Sequence, residues 1–279
     1  MVNRKELRPE DSPRAAYGAH LRRLRERRSW TQEDLAGRTS YSSQHISAVE
    51  TARKPPTLQF SREVDQVFGT TGTADSLERL WSEMRYANLL EGFPEYVAYE
   101  GCAVEIRSFH LGIIPGLLQT PEYAQALANG DVRRGSITQQ QADERVAFLM
   151  ERQAALVRDR PPMLLVVMDE SCIRRVVGGS DVMGAQLERL LAFAALPNSV
   201  LQVAPFAMGE RRSFDLPVNL LTLRDRSMIA YAESHAQGLV ERESTAVLSI
   251  LTAYHQLQAE CLSQADSVAV VEQVRKGMS

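Results

Sequence analysis

The apolar positions of this chain change period along its length. Tyr17, Leu21 and Leu24 fall at i, i+4 and i+7, and Phe60, Val64, Val67 and Phe68 form a second stripe ended by Gly69, so both stretches read as amphipathic helices. Two shorter segments lie between them. Thr31 is an N-cap with Asp34 at the capping-box position, Leu35 and Ala36 face inward, and Gly37 to Tyr41 interrupts the pattern. Ser42 then caps a helix expected to run from Ser43 to about Thr51, with Ile46 and Val49 inward, and Thr57 caps the Phe60 stripe. Leu77, Leu80, Trp81, Met84 and Ala87 predict a longer amphipathic helix capped by Asp75 with Glu78, and another helix starts at Pro94. Thr120 and Pro121 start the next, which Asn129-Gly130 is expected to stop. From Pro161 the runs shorten: Met163–Met168 reads as an inner strand, followed by helices near 170–177 and 181–196 and a parallel strand at 199–205. Segments 218–223 and 228–233 read as an antiparallel hairpin on the same sheet, and two helices follow.

The pattern predicts a multidomain, mostly α protein. A mobile arm spans 1–13, an all-α bundle containing a helix-turn-helix 14–72, a helical linker or docking region 73–110, and an α/β domain with a small mixed sheet 111–279; the residues and resemblances below make the bundle the expected DNA-binding domain and the α/β part the expected regulatory or partner-binding domain.

Charge changes the picture only once it is divided by region. The formal net charge is -3 over 279 residues, yet residues 14–54 hold nine Lys or Arg against four Asp or Glu, while residues 55–279 hold twenty against twenty-eight. A basic module on an acidic body suits a phosphate-contacting domain with a separate regulatory part. Arg22, Arg23, Arg25, Arg27 and Arg28 are expected on a solvated helix surface, with one or two touching phosphate. Cys102, Cys172 and Cys261 have no CxxC or Cys/His ligand spacing, and the five histidines lack metal spacing, so neither a disulfide framework nor a metal or cofactor is expected. No apolar leader or membrane-length run is present, which gives the expectation of a soluble cytoplasmic protein with no membrane partner.

The candidate chemistry lies between Thr31 and Thr57. With Ile46 and Val49 inward, Ser43, Gln44, Ser47 and Ala48 point outward, where Gln can pair with an adenine edge, Ser can serve either base and Ala can touch a thymine methyl. Arg53 and Lys54 follow in a Pro-containing loop suited to the sugar-phosphate backbone. The order of elements, Gln32, the Ile46 and Glu50 pair and the closing Arg-Lys-Pro at 53–55 resemble the Xre-type, lambda-repressor-like helix-turn-helix family. Gln32 and Ser42 complete the expected DNA-binding set. Ser40 stands where that family usually has Gly, and Ala48 where it has a long basic or polar residue, which shifts selectivity towards Ser43 and Gln44.

Beyond the module, the runs PGLLQTPEY, ERVAFLMERQAAL, VVMDESCIRRVVGG and MGAQLERLL are similar to the antitoxin-like C-terminal domain, of unassigned function, that follows Xre-type modules in many actinobacterial regulators. The resemblance implies a regulator, often encoded beside a small protein partner, and no known chemistry. Asp169, Glu170 and Arg174 stand where a strand meets a helix and Glu233 ends a strand, so these four are the candidates for an effector pocket; helix capping by the two carboxylates is the preferred role. No Walker, GxGxxG or nucleophile motif is present, and no enzyme is expected. The expected function is a transcriptional regulator that binds a double-stranded operator as a homodimer. The alternative is an antitoxin-like protein that holds a small neighbouring-gene partner, with autoregulatory DNA binding.

Overall fold

The computed structural model describes residues 12–86, 92–233 and 238–278. The chain divides into two compact units, Met1–Leu89 and Leu90–Ser279. Most of the arm expected over 1–13 lies outside the described residues, as does Ala87 of the expected amphipathic helix.

Among its described residues the first unit has five helices: α1 (Pro13–Arg27), α2 (Gln32–Ala36), α3 (Ser43–Glu50), α4 (Leu58–Phe68) and α5 (Leu77–Tyr86). Local chemistry sets their starts. Thr31 and Asp34 form the capping box of α2, while the hydroxyls of Ser42 and Thr57 accept from the third amide of α3 and α4. Gly69, at φ 68, ends α4 in the left-handed conformation that a residue without Cβ adopts freely. Tyr17, Leu21, Leu35, Ile46, Val49, Phe60, Val64 and Leu77 form one buried core, against which Leu80, Trp81 and Met84 pack. Helices α1 and α3 approach closely, since a Cβ on Gly18 would stand 2.8 Å from the Val49 carbonyl oxygen.

Two expectations are corrected here. Asp75 does not cap α5; buried Asp65 of α4 does, accepting from the Leu77 and Glu78 amides and from the Ser76 and Thr70 hydroxyls. Asp75 instead pairs with Arg27. Arg25 is not on the solvated surface: it is 8 % exposed and donates to Glu50 through Nε and Nη2 at 2.6 and 2.9 Å.

The second unit is α/β. Its helices are α6 (Phe93–Glu100), α7 (Pro121–Arg133), α8 (Gln139–Ala155), α9 (Ser171–Arg174), α10 (Ser180–Ala194), α11 (Ser244–Glu260) and α12 (Gln264–Lys276). The strands are β1 (Glu105–His110), β2 (Met163–Asp169), β3 (Ser199–Ala204), β4 (Val218–Thr222), β5 (Met228–Glu233) and β6 (Gly238–Glu241). They form a mixed sheet in the order β3-β2-β1-β4-β5-β6. The pairs β1–β2 and β2–β3 are parallel and the remaining three are antiparallel, so the C-terminal ends of β1, β2, β3 and β5 share one edge.

Helices cover both faces. Val166, Met168, Leu201 and Val203 pack with residues of α7, α9, α10 and α12, and Ile106, Leu221 and Tyr231 on the same face pack with Tyr96 of α6. Phe109, Val167, Leu220 and Ala230 face Val247, Tyr254 and Leu257 of α11. The inner strand at 163, its parallel neighbour and the antiparallel hairpin stand where the sequence put them. Residues 105–110 do not: they form the central strand β1 rather than the end of a helical region. Gly130 does not stop α7, which continues to Arg133; Gly135, at φ 72, follows its end. Among the described residues no helix is long and apolar enough to cross a membrane.

Candidate nucleic-acid interface

The outward face of α3 is built from its cap inwards. Ser42 is exposed and receives the His45 amide at 3.2 Å, which fixes the start of the helix. Ile46 and Val49 are buried, so Gln44 stands fully outward, with Ser43, Ser47 and Ala48 half-buried beside it. Residues 43, 44, 47 and 48 repeat at i, i+1, i+4 and i+5, which is one side of a helix. The side chains on it are short and uncharged.

The chain then turns back beside this face. Ala52 is left-handed at φ 55, and the Lys54 amide donates to the Ala48 carbonyl at 3.0 Å. Thr51 Oγ1 donates to the Ser47 carbonyl at 2.6 Å and receives Arg53 Nε at 2.9 Å, while Lys54 Nζ meets His45 Nδ1 at 3.2 Å. Both exposed cations are thereby held against α3 rather than left on a loose loop.

Beneath the face lies a charge network that the pattern of apolar positions did not show. Glu50, fully buried, accepts Arg25 at two points and the Gln32 amide at 2.7 Å, with Arg22 Nε at 3.7 Å. Arg25 also donates to the Trp30 carbonyl at 2.7 Å. The Arg25 guanidinium is held above its ordinary pKa, first by its bonds to Glu50. Gln32 is therefore committed inward in this structure, and it ties the start of α2 to the end of α3. A signal was available, because Arg25 is i+4 from Leu21 and Glu50 is i+4 from Ile46: two opposite charges stood on two core stripes.

The turn between α2 and α3 contains no left-handed residue. Glu63 of α4 clamps it, accepting from the Ser40 amide and, at 2.8 Å, from the Ser40 hydroxyl. Ser40 thus closes the turn through its side chain, a bond that Gly could not make.

Of the four residues considered for an effector pocket, Asp169, Glu170 and Arg174 stand together at the end of β2, and Glu233 does not join them. Asp169 accepts from the Ser171 amide and hydroxyl and from Arg212 at 2.9 Å. Burial pushes its pKa up, but the Ser171 bonds and Arg212 outweigh that and hold the carboxyl below the usual aspartate value. Glu170 accepts the Phe206 amide at 2.8 Å and Arg174 Nε at 2.5 Å. Glu233 stands three strands away on β5 and accepts the Tyr231 hydroxyl at 2.9 Å. Each carboxylate is occupied by a structural partner. A cavity lined by Gly101, Cys102, Leu223, Arg224 and Asp225 opens at the opposite sheet edge and contains none of the four.

Two further groups of this unit, Cys172 and His110, are held uncharged by burial. Burial pushes the Cys172 thiol up to about 12 and His110 down to about 4. Among the described residues no group of three His, Cys, Asp or Glu side chains is arranged to hold a metal ion.

Comparison with known proteins agrees with this division. Residues 16–77 match the family model described as a helix-turn-helix domain, and residues 93–273 match the model described as a domain of unknown function, DUF5753. No curated protein and no solved structure matches the chain.

Proposed function

Because the chain belongs to the DUF5753 domain family and carries a helix-turn-helix domain ahead of that domain, we propose that it is a sequence-specific transcriptional regulator of the Xre type, reading operator DNA with α3. The observation that supports this most is the pairing of an outward, uncharged side of α3 with two cations held beside it. Gln44 and Ser43 meet base edges, Ser47 and Ala48 lie against the groove wall, and Arg53 and Lys54 contact phosphates and set register. Ser42 starts the helix, and Gln32 acts through Glu50. One such helix spans a half-site, so two copies bind one operator. The structural engagement of Asp169 and Glu170 supports a C-terminal unit that regulates rather than catalyses.

Selection of duplexes with the full chain, followed by binding measured against salt, tests this. Gln44→Ala is expected to weaken binding by about 1–3 kcal/mol at one base step. Arg53→Ala with Lys54→Ala should weaken all duplexes alike and lower the salt slope by about two. Unchanged affinity in both variants removes the assignment.

One surface favours a second role, the antitoxin-like holding of a small protein partner. Ile113, Val176, Phe206 and Leu216 are large, apolar and 40–57 % exposed. All four lie in connections at the end of the sheet where β1, β2 and β3 end and β4 begins, Phe206 on a short 3-10 helix, and these connections are tied to the start of α9 through Gly112–Ser171 and Phe206–Glu170. Purification of the untagged neighbouring gene product with the tagged full chain tests it; failure to co-elute removes this role and leaves DNA reading untouched.

A further inference from the structure

His45 lies beside the four outward residues of α3 assigned above. Its ring is 4.7 Å from that of Tyr41 and 5.3 Å from that of Phe60, the latter stacked at 27°. Nδ1 meets Lys54 Nζ at 3.2 Å, and Nε2 is buried without a hydrogen-bond partner. An ammonium has no lone pair, so Lys54 donates, Nδ1 accepts, and the single ring proton resides on Nε2. The neutral imidazole is what fixes the Lys54 side chain. Lys54 is the charged group that faces the ring. Tyr41 contributes a neutral phenol, Phe60 no charge, and Glu63 of α4 is turned to Ser40. Burial and then the Lys54 charge hold His45 below the ordinary histidine pKa.

Protonation at Nδ1 would leave two donors opposed across this contact. A phosphate oxygen resolves the conflict, because it accepts from Lys54 Nζ and from the new Nδ1–H together. We propose that His45 and Lys54 form one phosphate-binding unit of the α3 face, and that seating a DNA backbone phosphate there draws a proton from solvent onto His45 Nδ1. One hydrogen bond between the two side chains is exchanged for two to the phosphate. The proposal rests on the DNA-binding reading and adds a proton to it.

The sign follows from linkage. The free chain has His45 neutral at pH 7, and the phosphate raises the pKa in the complex. Between the two values the complex holds more protons than the free chain, so affinity rises as pH falls, by at most about tenfold per pH unit for one proton. Below the free value both states are protonated and the dependence ends.

Anisotropy titrations of the full chain against a duplex selected with it, from about pH 8.5 to about 5.5 at fixed ionic strength, test this. His45→Gln removes the titrating ring and keeps a polar side chain of similar length. His20→Gln is the control within the same unit, since His20 bonds to the Asp75 carbonyl instead. Wild type and His20→Gln are expected to gain affinity with acid, while His45→Gln stays flat across the range. A flat wild-type profile, or an equal slope in His45→Gln, overturns the proposal. Wild-type chain that binds no selected duplex overturns the DNA-binding reading itself. If His45→Gln does not fold, Lys54→Gln read by ring-proton NMR of the free chain replaces it: His45 should titrate at higher pH, and an unmoved titration overturns the unit.

Discussion

Each unit holds a buried glutamate in two-point contact with an arginine. In the first, Glu50 accepts Arg25 and Gln32; in the second, Glu100, 2 % exposed, accepts Arg152 Nε and Nη2 at 2.9 and 2.8 Å and the Tyr96 hydroxyl at 2.8 Å. The chemistry is the same and the placement is not. Glu50 ends the helix that carries the candidate base contacts, so the pair that stabilises the bundle also sets the angle at which Gln44 is presented. Glu100 joins α6 to α8, and the Arg152 guanidinium lies 4.8 Å from the Phe93 ring; neither helix carries a residue of the candidate site. A buried pair is evidence of function only when one partner sits on an element that meets a ligand.

The largest effect is expected from Arg152→Leu. It leaves Glu100 with Tyr96 alone and should destabilise the second unit by about 3–5 kcal/mol in urea unfolding, towards the upper end of that range. DNA affinity of the remaining folded chain should not change. Arg25→Leu comes next. Glu50 keeps Gln32 and the nearby Arg22, so a loss of about 3 kcal/mol is expected, now with weakened DNA binding. Adding Glu50→Leu should return much of the stability, since apolar side chains of similar volume replace buried pairs at little cost, but should not return binding. If Arg25→Leu and Arg152→Leu affect binding alike, the distinction between the two pairs fails. The smallest effect separates charge from hydrogen bonding. Asp65 is fully buried and accepts four bonds from amides and hydroxyls, with no cation among them. Asp65→Asn should cost about 1–2 kcal/mol by melting, as the loss of an N-cap does, and leave binding intact.

The first unit was legible because its signals are local. Thr31, Ser42, Thr57 and Gly69 act within three or four residues of their own position, and each does in the structure what its spacing implies. Arg25, Glu50 and Asp65 were missed because their partners come from other helices, and a charge in an Arg-rich helix looks solvated until its partner is known. In the second unit β2, β3 and the β4–β5 hairpin were legible as apolar runs between turn residues. Strand β1 was not, because Arg107, Ser108 and His110 break its run, and β6 is four residues long. The face of α3 follows from the inward positions Ile46 and Val49. The commitment of Gln32 to Glu50 and of Lys54 to His45 needed coordinates, since rotamers are not written in spacing.

Strand β1 comes first in the chain yet lies in the middle of the sheet, between β2 and β4. During synthesis it emerges before either neighbour exists, and its two edges are satisfied at separate times, first by Met163–Asp169 and later by Val218–Thr222. A chain interrupted after β3 therefore presents an open, partly apolar strand edge that another nascent chain can take up. The order of this sheet makes late translation the vulnerable interval in the life of the protein.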